Sequence, residues 1–148
     1  MDYPPLVYYA TIDEYKTHFE AMYCQDPIDT FDAIPIRFRK DDFDHAFYES
    51  SRRDGQKDVF SSARSKRIDW IKYALQDPTS ELYEGWDNKR RVDDKTRRVV
   101  LVQGDYVVVV RLRKTAQAIT TGRFVTAYVV DSTYAIAMIR SHPKWKGL

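Results

Sequence analysis

The sequence has a single cysteine, Cys24, and no long apolar run. One cysteine excludes an internal disulfide, which is typical of proteins that fold in a reducing compartment. No segment approaches the roughly 20 apolar residues of a membrane-spanning helix. The N-terminal stretch MDYPPLVYYATIDEYK has neither the basic nor the apolar region of a signal peptide. We therefore expect a soluble, cytoplasmic protein that has no membrane partner.

Glycine and histidine are also scarce, with five and three residues in the chain. The glycines are dispersed, so no glycine-rich loop can cradle phosphates, which argues against a nucleotide hydrolase. Acidic residues and histidines show no spacing typical of a hydrolytic metal site. The stretch DDFDH is the nearest approach to one, and helix capping with solvation explains it more simply. We expect neither a metal nor a cofactor.

Charge is plentiful but unevenly distributed. Residues 1–50 hold eleven Asp or Glu and four Lys or Arg, whereas residues 51–148 hold eleven Asp or Glu and twenty Lys or Arg. The basic residues 51–148 could bind a polyphosphate partner, and the acidic residues 1–50 precede them in the chain. Equally, the acidic half can neutralise the basic half within the fold. Charge alone does not separate the two interpretations.

The first half of the chain is predicted to be mainly helical. A strand at LVYYA precedes a helix over residues 12–24, which Thr11 and Glu14 open as a capping box. The stretch IPIRF alternates like a strand, and its proline favours a position at the edge of a sheet. Further helices are predicted at DDFDHAF and at SSARSKRIDWIKYALQ, the second of which ends before the proline of QDP.

The second half changes to the two-residue period of strands. Predicted strands are ELYEGW, RRVVLV, YVVVVRLRK and GRFVTAYVV, with a hairpin at QGD between the second and the third. A short capped helix at DSTYAIAMIRS stops before Pro143. Helices followed by an antiparallel meander indicate an α+β domain. Its N-terminal helices are expected to pack on the sheet, with a short C-terminal helix at the end.

His45 lies on the predicted helix in the stretch RFRKDDFDHAFYESSRRDG. Helical periodicity puts it opposite the face of Phe43 and Phe47, in one stripe with Glu49 and Arg52. His45 is therefore not a core histidine. The stripe either turns towards the sheet as part of a site or is simply solvated, as most polar helix stripes are.

Two arginines stand out on the following helix. Arg64 extends the inward apolar stripe by one turn and Arg67 flanks it, whereas Lys66 points away. An arginine in line with a buried face needs a carboxylate or a bound anion as its partner. A structural salt bridge and an anion site both fit this pattern.

The last two predicted strands place further polar groups together. A symmetrical turn between them puts Arg111 opposite Phe124, on the face of Thr126 and Tyr128. That face then offers guanidinium, hydroxyl and phenol groups, and the other face is aliphatic. A solvated sheet face that carries the same residue types is the alternative.

The loop NKRRVDDKTRR carries six Lys or Arg, and Tyr83 and Trp86 precede it with rings on which bases can stack. This combination is typical of a non-catalytic nucleic-acid-binding or interaction module. Candidate nucleic-acid contacts are Arg52, Lys66, Trp86, Arg90, Arg91, Arg97 and Arg98.

Four segments in this order, HAFYES, RSKRIDWIK, LYEGWD and FVTAYVVD, resemble the phage-associated branch of the barnase–EndoU–colicin–RelE-like nucleases, over roughly residues 30–131. The resemblance implies helices on a four-stranded antiparallel sheet and a toxin-like, metal-independent endoribonuclease from a bacterium or phage. It implies RNA, with tRNA a candidate, as the substrate and an immunity or antitoxin protein as a candidate partner. The chain then forms one domain, with a strand–helix extension (1–36), a nuclease-like core (37–131) and a C-terminal helix and tail (132–148).

The family pattern gives His45, Arg64, Arg67, Arg111, Thr126 and Tyr128 as the catalytic set. RNA cleavage by the 2′-OH needs a base, cations at the charged phosphorane and an acid for the leaving oxygen. His45 suits proton transfer, with Glu49 holding its tautomer, and the three arginines suit the phosphate. Thr126 is expected to orient the phosphate, and Tyr128 to supply the second proton transfer or a stacking surface. The alternatives are a degenerate, non-catalytic copy and an enzyme whose acidic residues 1–36 cover the basic site.

Overall fold

A computed structural model of the protein describes residues 2–50 and 57–148. Within these ranges the helices are α1 Ile12–Tyr23, α2 Asp42–Phe47, α3 Ser62–Ser65, α4 Trp70–Gln76 and α5 Thr133–Arg140. The strands are β1 Ile28–Asp29, β2 Pro35–Arg37, β3 Tyr48–Glu49, β4 Val59–Phe60, β5 Glu81–Asp87, β6 Val92–Val102, β7 Tyr106–Lys114 and β8 Thr120–Val129. In the same ranges, no helix combines the length and apolar character needed to cross a membrane.

Six strands form one mixed sheet in the order β1-β2-β8-β7-β6-β5, and β3 pairs with β4 in a separate ribbon. The long strands β5 to β8 form the predicted antiparallel meander. The expectation of a four-stranded, wholly antiparallel sheet is nevertheless wrong, because β2 adds to β8 in parallel and β1 pairs with β2. The fold is α+β with a six-stranded mixed sheet.

Gly122 explains how β2 fits beside β8. Ile36 of β2 is buried directly opposite Gly122. A Cβ at residue 122 would lie 2.7 Å from Cδ1 of Ile36 and 2.7 Å from Cδ2 of Leu112. Pro35, which has no N–H, is the first residue of β2, a position at which a strand tolerates proline, and β2 lies between β1 and β8. This short strand therefore closes on β8 only because residue 122 has no side chain.

The N-terminal helices bury an aromatic core against one face of the sheet. Phe19 of α1 is fully buried, and its ring centroid lies within 6.4 Å of those of Tyr23, Phe38, Phe43, Phe47 and Phe124. Rings in such tilted and edge-to-face contacts contribute much of a core's stability. The helical spacing of Tyr15, Phe19 and Tyr23 predicts this helix, and all three are buried.

The C-terminal helix α5 packs on the opposite face of the sheet. It covers a smaller apolar cluster, formed by Tyr83, Val99, Leu101, Val107, Val109 and Val130. Ile136 and Ile139 lie over this cluster, although no residue of α5 is fully buried. At the end of the helix, Arg140 donates two hydrogen bonds to Glu81, at 3.1 and 3.0 Å. The second face is thus apolar and covered where α5 lies.

A tyrosine hydroxyl divides the predicted third helix into α3 and α4. In a continuous helix the N–H of Lys72 would bond to the carbonyl of Ile68. Here the hydroxyl of Tyr23 donates to that carbonyl and accepts from the N–H of Lys72. An inserted side chain of this kind interrupts a helix.

The segment LVYYA, predicted to be a strand, belongs to no sheet and lies along the helices. Val7 donates its N–H to the carbonyl of Lys66 (2.8 Å), and its own carbonyl accepts from the hydroxyl of Tyr15 (2.9 Å). Trp70 Nε1 donates to the carbonyl of Pro4 (2.8 Å). These contacts satisfy backbone groups that a neighbouring strand would otherwise pair.

Candidate functional site

Four arginines occupy matched positions on four adjacent strands. Arg97 of β6 pairs with Arg111 of β7, and Arg111 also pairs with Arg123 of β8. Arg123 in turn pairs with Arg37 of β2. Because directly paired residues project from the same face of a sheet, these side chains form one line across the strands, which we call the arginine row.

The arginine row is poorly neutralised. Arg111 has a carboxylate neighbour, with Nη1 at 3.5 Å from Oδ2 of Asp94. Among the described residues, Arg37 and Arg123 have no ion-pair partner. Like charges directly opposite one another destabilise a sheet. The row therefore costs the free protein stability, and an anion that binds to it offsets that cost.

The row borders a groove of about 950 Å³, which we call the cationic groove. Five arginines line it: Arg37, Arg39, Arg111, Arg113 and Arg123. Thr96, Thr115 and Thr121 add hydroxyl groups, and Asp26 is the one carboxylate among the described lining residues. Guanidinium and hydroxyl donors in this proportion suit phosphate oxygens.

Arg97 lies at the far end of the row, where Gly85 makes room for it. A Cβ on Gly85 would overlap Cγ of Arg97. Arg97 Nη1 donates to the carbonyl of Trp86 (3.4 Å), and its Nε is buried without a hydrogen-bond partner among the described residues. A buried, unpaired guanidinium nitrogen is costly, so it is a donor that an incoming anion can satisfy.

A β-bulge decides which residues share the face of the row. The predicted pairing of Arg111 with Phe124 is wrong, because Phe124 lies opposite Val110 and packs into the aromatic core. The register shifts between Val109 and Val110, so Thr126 pairs with Val109. This shift returns Thr126 and Tyr128 to the face of Arg111, where the sequence analysis placed them.

Thr126 and Tyr128 are half-buried on that face. Oγ1 of Thr126 is buried and has no hydrogen-bond partner among the described residues. Tyr128 packs against the apolar cluster beneath α5, and burial raises the pKa of its phenol. The guanidinium of Arg64 lies over the tyrosine ring, with Cζ 5.7 Å from the ring centroid. The aromatic ring therefore supports a cation.

Arg64 connects that ring to the helix of His45. Ser61 caps α3 by accepting from the N–H of Arg64 (3.2 Å), which fixes where the side chain starts. Nη1 of Arg64 donates to the carbonyl of Ala46 (3.1 Å), and its Nε lies 3.7 Å from Oε1 of Glu49. Glu49 thus stands beside Arg64, and no hydrogen bond joins it to His45 among the described contacts.

His45 is exposed at the end of α2. Its pKa is lowered, first by partial burial of the ring and next by the ammonium of Lys57; Asp42 opposes this shift, and Arg64 and Arg97 add to it. The imidazole is therefore neutral at neutral pH. Lys57, Arg64 and Arg97 are the cations that act on it, and a neutral imidazole can accept a proton.

The His45 cavity, of about 380 Å³, lies beside this histidine. Its lining residues are Asp44, His45, Tyr48 and Lys57. Burial and the guanidinium of Arg64 lower the pKa of Lys57. The cavity and the arginine row are two separate features, and Arg64 and Arg97 act electrostatically on His45, which lines the cavity.

Two arginines named in the sequence analysis have structural contacts instead. Arg98 is fully buried and donates to both carboxylate oxygens of Asp32, at 2.7 and 3.1 Å, with Trp145 packed 4.7 Å from its Cζ. Arg67 donates to the carbonyl of Ala63 (2.7 Å) and lies over the ring of Trp70. Neither contributes to the cationic groove or to the His45 cavity.

The remaining candidates are dispersed. Arg90 and Arg91 are exposed in the turn between β5 and β6, and Trp86 is 40% exposed nearby. Lys66 is half-buried at the end of α3. Arg52 lies outside the described residues.

Sequence reasoning missed Arg37, Arg123 and Lys57. Arg37 and Arg123 alternate outward on strands that were recognised, so their periodicity was a usable signal. What was missing is that β2 pairs with β8, which aligns them with Arg111. Lys57 carries no local signal, because it meets His45 only through the β3–β4 ribbon.

Compared with protein-family models, with curated proteins and with solved structures, the chain has no match in any of the three.

Proposed function

We propose that the protein is a metal-independent endoribonuclease that holds the RNA backbone on the arginine row and transfers protons through His45. The main observation in support of this proposal is the arginine row. Strands lie about 4.8 Å apart, so four guanidinium groups in register span about 14 Å, more than a single phosphate needs. A ligand with repeated negative charge fits such a line, and guanidinium forks match phosphate oxygens.

The proposed chemistry begins with the 2′-oxygen. It attacks the adjacent phosphorus, the bond to the 5′-oxygen breaks, and a 2′,3′-cyclic phosphate remains. His45 takes the proton of the 2′-OH, since its lowered pKa keeps the imidazole neutral. Arg64 and Arg97 stabilise the charge that develops on the phosphate, and the leaving 5′-oxygen takes a proton from water. The resemblance of HAFYES, RSKRIDWIK and FVTAYVVD to the nuclease family supports this assignment.

One observation favours a second function, RNA binding without cleavage. Two of the six residues expected to act are half-buried: the hydroxyl oxygen of Thr126 is buried, and Tyr128 packs against the apolar cluster beneath α5. A protein that keeps the arginine row and has lost catalysis would bind RNA and leave it intact.

The test is incubation of the purified protein with tRNA and total RNA in EDTA. We expect discrete fragments with cyclic-phosphate or 3′-phosphate ends. His45→Ala should slow cleavage on the order of 10²–10⁴-fold, as loss of a proton-transfer group does. Lys16→Ala, at an exposed position of α1, is the matched control and should cleave at the wild-type rate. Salt-dependent binding without fragments supports the second function, and the absence of both binding and cleavage overturns both functions.

A further inference from the structure

A tyrosine hydroxyl, an imidazole and a carboxylate form one hydrogen-bonded chain on the helical side of the protein. Oη of Tyr9 lies 2.7 Å from Nδ1 of His18, and Nε2 of His18 lies 2.6 Å from Oδ1 of Asp69. These three residues line neither the cationic groove nor the His45 cavity. A hydroxyl within reach of a base that a third group orients is the arrangement that activates a nucleophile.

Three separate segments bring these groups together. His18 lies on α1, at the border of the stripe in which Tyr15 and Phe19 are buried. Asp69 immediately precedes α4, but its side chain makes no capping hydrogen bond there, so the carboxylate is free to meet His18. Tyr9 donates its N–H to Oη of Tyr15 (3.0 Å), and the two rings meet edge-on with their centroids 5.0 Å apart. The hydroxyl of Tyr9 is therefore held beside the imidazole before any reactant arrives.

The protons of this chain have one consistent arrangement when the imidazole is neutral. An ionised carboxylate only accepts hydrogen bonds, so Nε2 of His18 carries the proton and donates to Asp69. Nδ1 then has a free lone pair, which accepts from the O–H of Tyr9. The proton of the phenol is therefore directed at a base, as attack by its oxygen requires.

We propose that Tyr9 is a covalent modification site, at which the phenol oxygen takes an acyl group from an activated ester and His18 acts as general base. The oxygen of Tyr9 attacks the carbonyl carbon, its proton moves to Nδ1 of His18, and the bond from that carbon to the leaving oxygen breaks. The leaving oxygen then takes the proton from Nδ1. The products are a tyrosyl ester and a free alcohol, and the imidazole is neutral again.

The contacts of the site favour a neutral acyl donor. Among the described contacts of Tyr9 and His18 there is no cation, so no group is in place to bind a phosphate. Asp69 is a positioning residue, which holds the tautomer of His18 and stabilises the imidazolium that forms. The inference does not depend on the proposed ribonuclease activity.

Two neighbouring tyrosines provide a comparison within one chain. Tyr9 is 39% exposed, and its hydrogen bond to His18 lies at the surface. Tyr8 is 72% exposed, and its hydroxyl has no hydrogen-bond partner within residues 2–50 and 57–148. Exposure alone predicts that Tyr8 reacts faster, whereas a base beside Tyr9 predicts the reverse.

The experiment treats the full chain with 4-nitrophenyl acetate and follows acetylation of each tyrosine by tandem mass spectrometry. We expect Tyr9 to react on the order of 10²-fold faster than Tyr8, the lower end of the effect of a general base. His18→Gln removes the base and should lower the rate at Tyr9 to that at Tyr8. The matched control is His142→Gln, because this histidine also pairs with an aspartate, Asp93 at 2.6 Å, and it should keep the wild-type ratio of rates.

Two variants of Asp69 test its positioning role. Asp69→Asn keeps an acceptor oxygen without the charge, so the ratio of the rates at Tyr9 and Tyr8 should fall. Asp69→Glu keeps the carboxylate and should retain more of this ratio, whichever variant lowers the melting temperature more.

The wild-type comparison needs no variant and can overturn the inference by itself. If Tyr9 reacts no faster than Tyr8, the hydrogen bond to His18 only anchors the segment ahead of α1. An unchanged ratio in His18→Gln, or an equal fall in His142→Gln, would also overturn it.

Discussion

Arg64 lies over the ring of Tyr128, with 5.7 Å between Cζ and the ring centroid. The ring belongs to the sheet and the guanidinium to α3, so the contact aligns a cation from the helices with the face of the arginine row. Burial raises the pKa of the phenol, which keeps its proton. This contact gives Tyr128 a role through its ring, whereas the family resemblance allows a role through its hydroxyl.

Tyr128→Phe separates these two roles. The variant keeps the ring beneath Arg64, so we expect RNA cleavage near the wild-type rate in single-turnover assays. Arg64→Ala should lower the rate on the order of 100-fold, the usual effect of removing one charge-stabilising donor. A loss of about 100-fold or more in Tyr128→Phe would show that the phenol transfers a proton.

Arg123→Gln should change stability and RNA affinity in opposite directions. Removing this charge relieves like-charge contacts with Arg37 and Arg111, so the melting temperature should rise. RNA affinity should fall, and the slope of log K against log salt should decrease by about one, as for the loss of one phosphate contact. Lys16→Ala serves as the control for both measurements. A lower melting temperature in Arg123→Gln would contradict the claim that the row is strained.

The pH dependence of cleavage should follow His45. Its pKa lies below the ordinary 6.5, and the proposed reaction requires the neutral ring. The acid limb of kcat/KM should therefore rise with pH through a value under about 6.5. Lys57→Ala removes a nearby positive charge, which favours the imidazolium and raises the pKa of His45, so the limb should move to higher pH. Lys72→Ala, on α4, is the control, and a limb that stays in place in Lys57→Ala would argue against His45 as the base.

Arg98→Ala should destabilise the protein strongly. Its guanidinium is fully buried, and its loss removes two hydrogen bonds to Asp32 and the cation packed on Trp145. Because the side chain of Asp32 is 30% exposed, we expect the free energy of unfolding to fall by less than the roughly 3–5 kcal/mol of a wholly buried pair. Urea denaturation measures the change. Hydrogen bonds from Arg98 and Thr30 outweigh the effect of burial and hold the pKa of Asp32 below 3.8. The stabilisation from this carboxylate is complete above pH 3.8 and is lost as the pH falls through its lowered value.

Gly122→Ala should weaken RNA binding without removing a charge. The added methyl group collides with Ile36 and Leu112, so β2 is displaced from β8 and Arg37 leaves the row. We expect lower stability and weaker, less salt-dependent binding. In a double-mutant cycle with Arg37→Gln, the two losses in binding should be smaller together than their sum, because both act on the same contact. If the losses in RNA affinity of the two variants were fully additive, Gly122→Ala would weaken binding by a route that does not involve Arg37.

Elements with a strong local period could be predicted from the sequence, and contacts that bridge distant segments could not. The spacing of Phe19 and Tyr23 predicts α1, and the valines of β6 and β7 predict the meander. The pairing of β2 with β8 depends on the space above Gly122, which no local pattern contains. The interruption between α3 and α4 depends on Tyr23, which is 45 residues before Ile68.

The candidate site follows the same division. Periodicity could place His45 away from the core of α2 and Arg64 towards a neighbour, since both properties belong to one helix. The register between β7 and β8 could not be read, because the bulge beside Val109 shifts it by one residue. Arg97 and Arg98 are adjacent in sequence, yet alternation sends one to the row and the other into an ion pair with Asp32.

Along the chain, acidic residues are concentrated in the first fifty positions and basic residues in the remainder. The parallel pairing of β2 with β8 brings residues of both parts together in the folded protein. Arg37 comes from the acidic first fifty residues, yet it completes a line whose other members come from the basic remainder. His45 and Asp44 come from the same acidic stretch and line the His45 cavity together with Lys57 from the basic remainder. The two halves are therefore interleaved, so neither fragment alone contains the row or the cavity. Mixing separately produced fragments 1–50 and 51–148 would restore RNA binding only if they fold around each other.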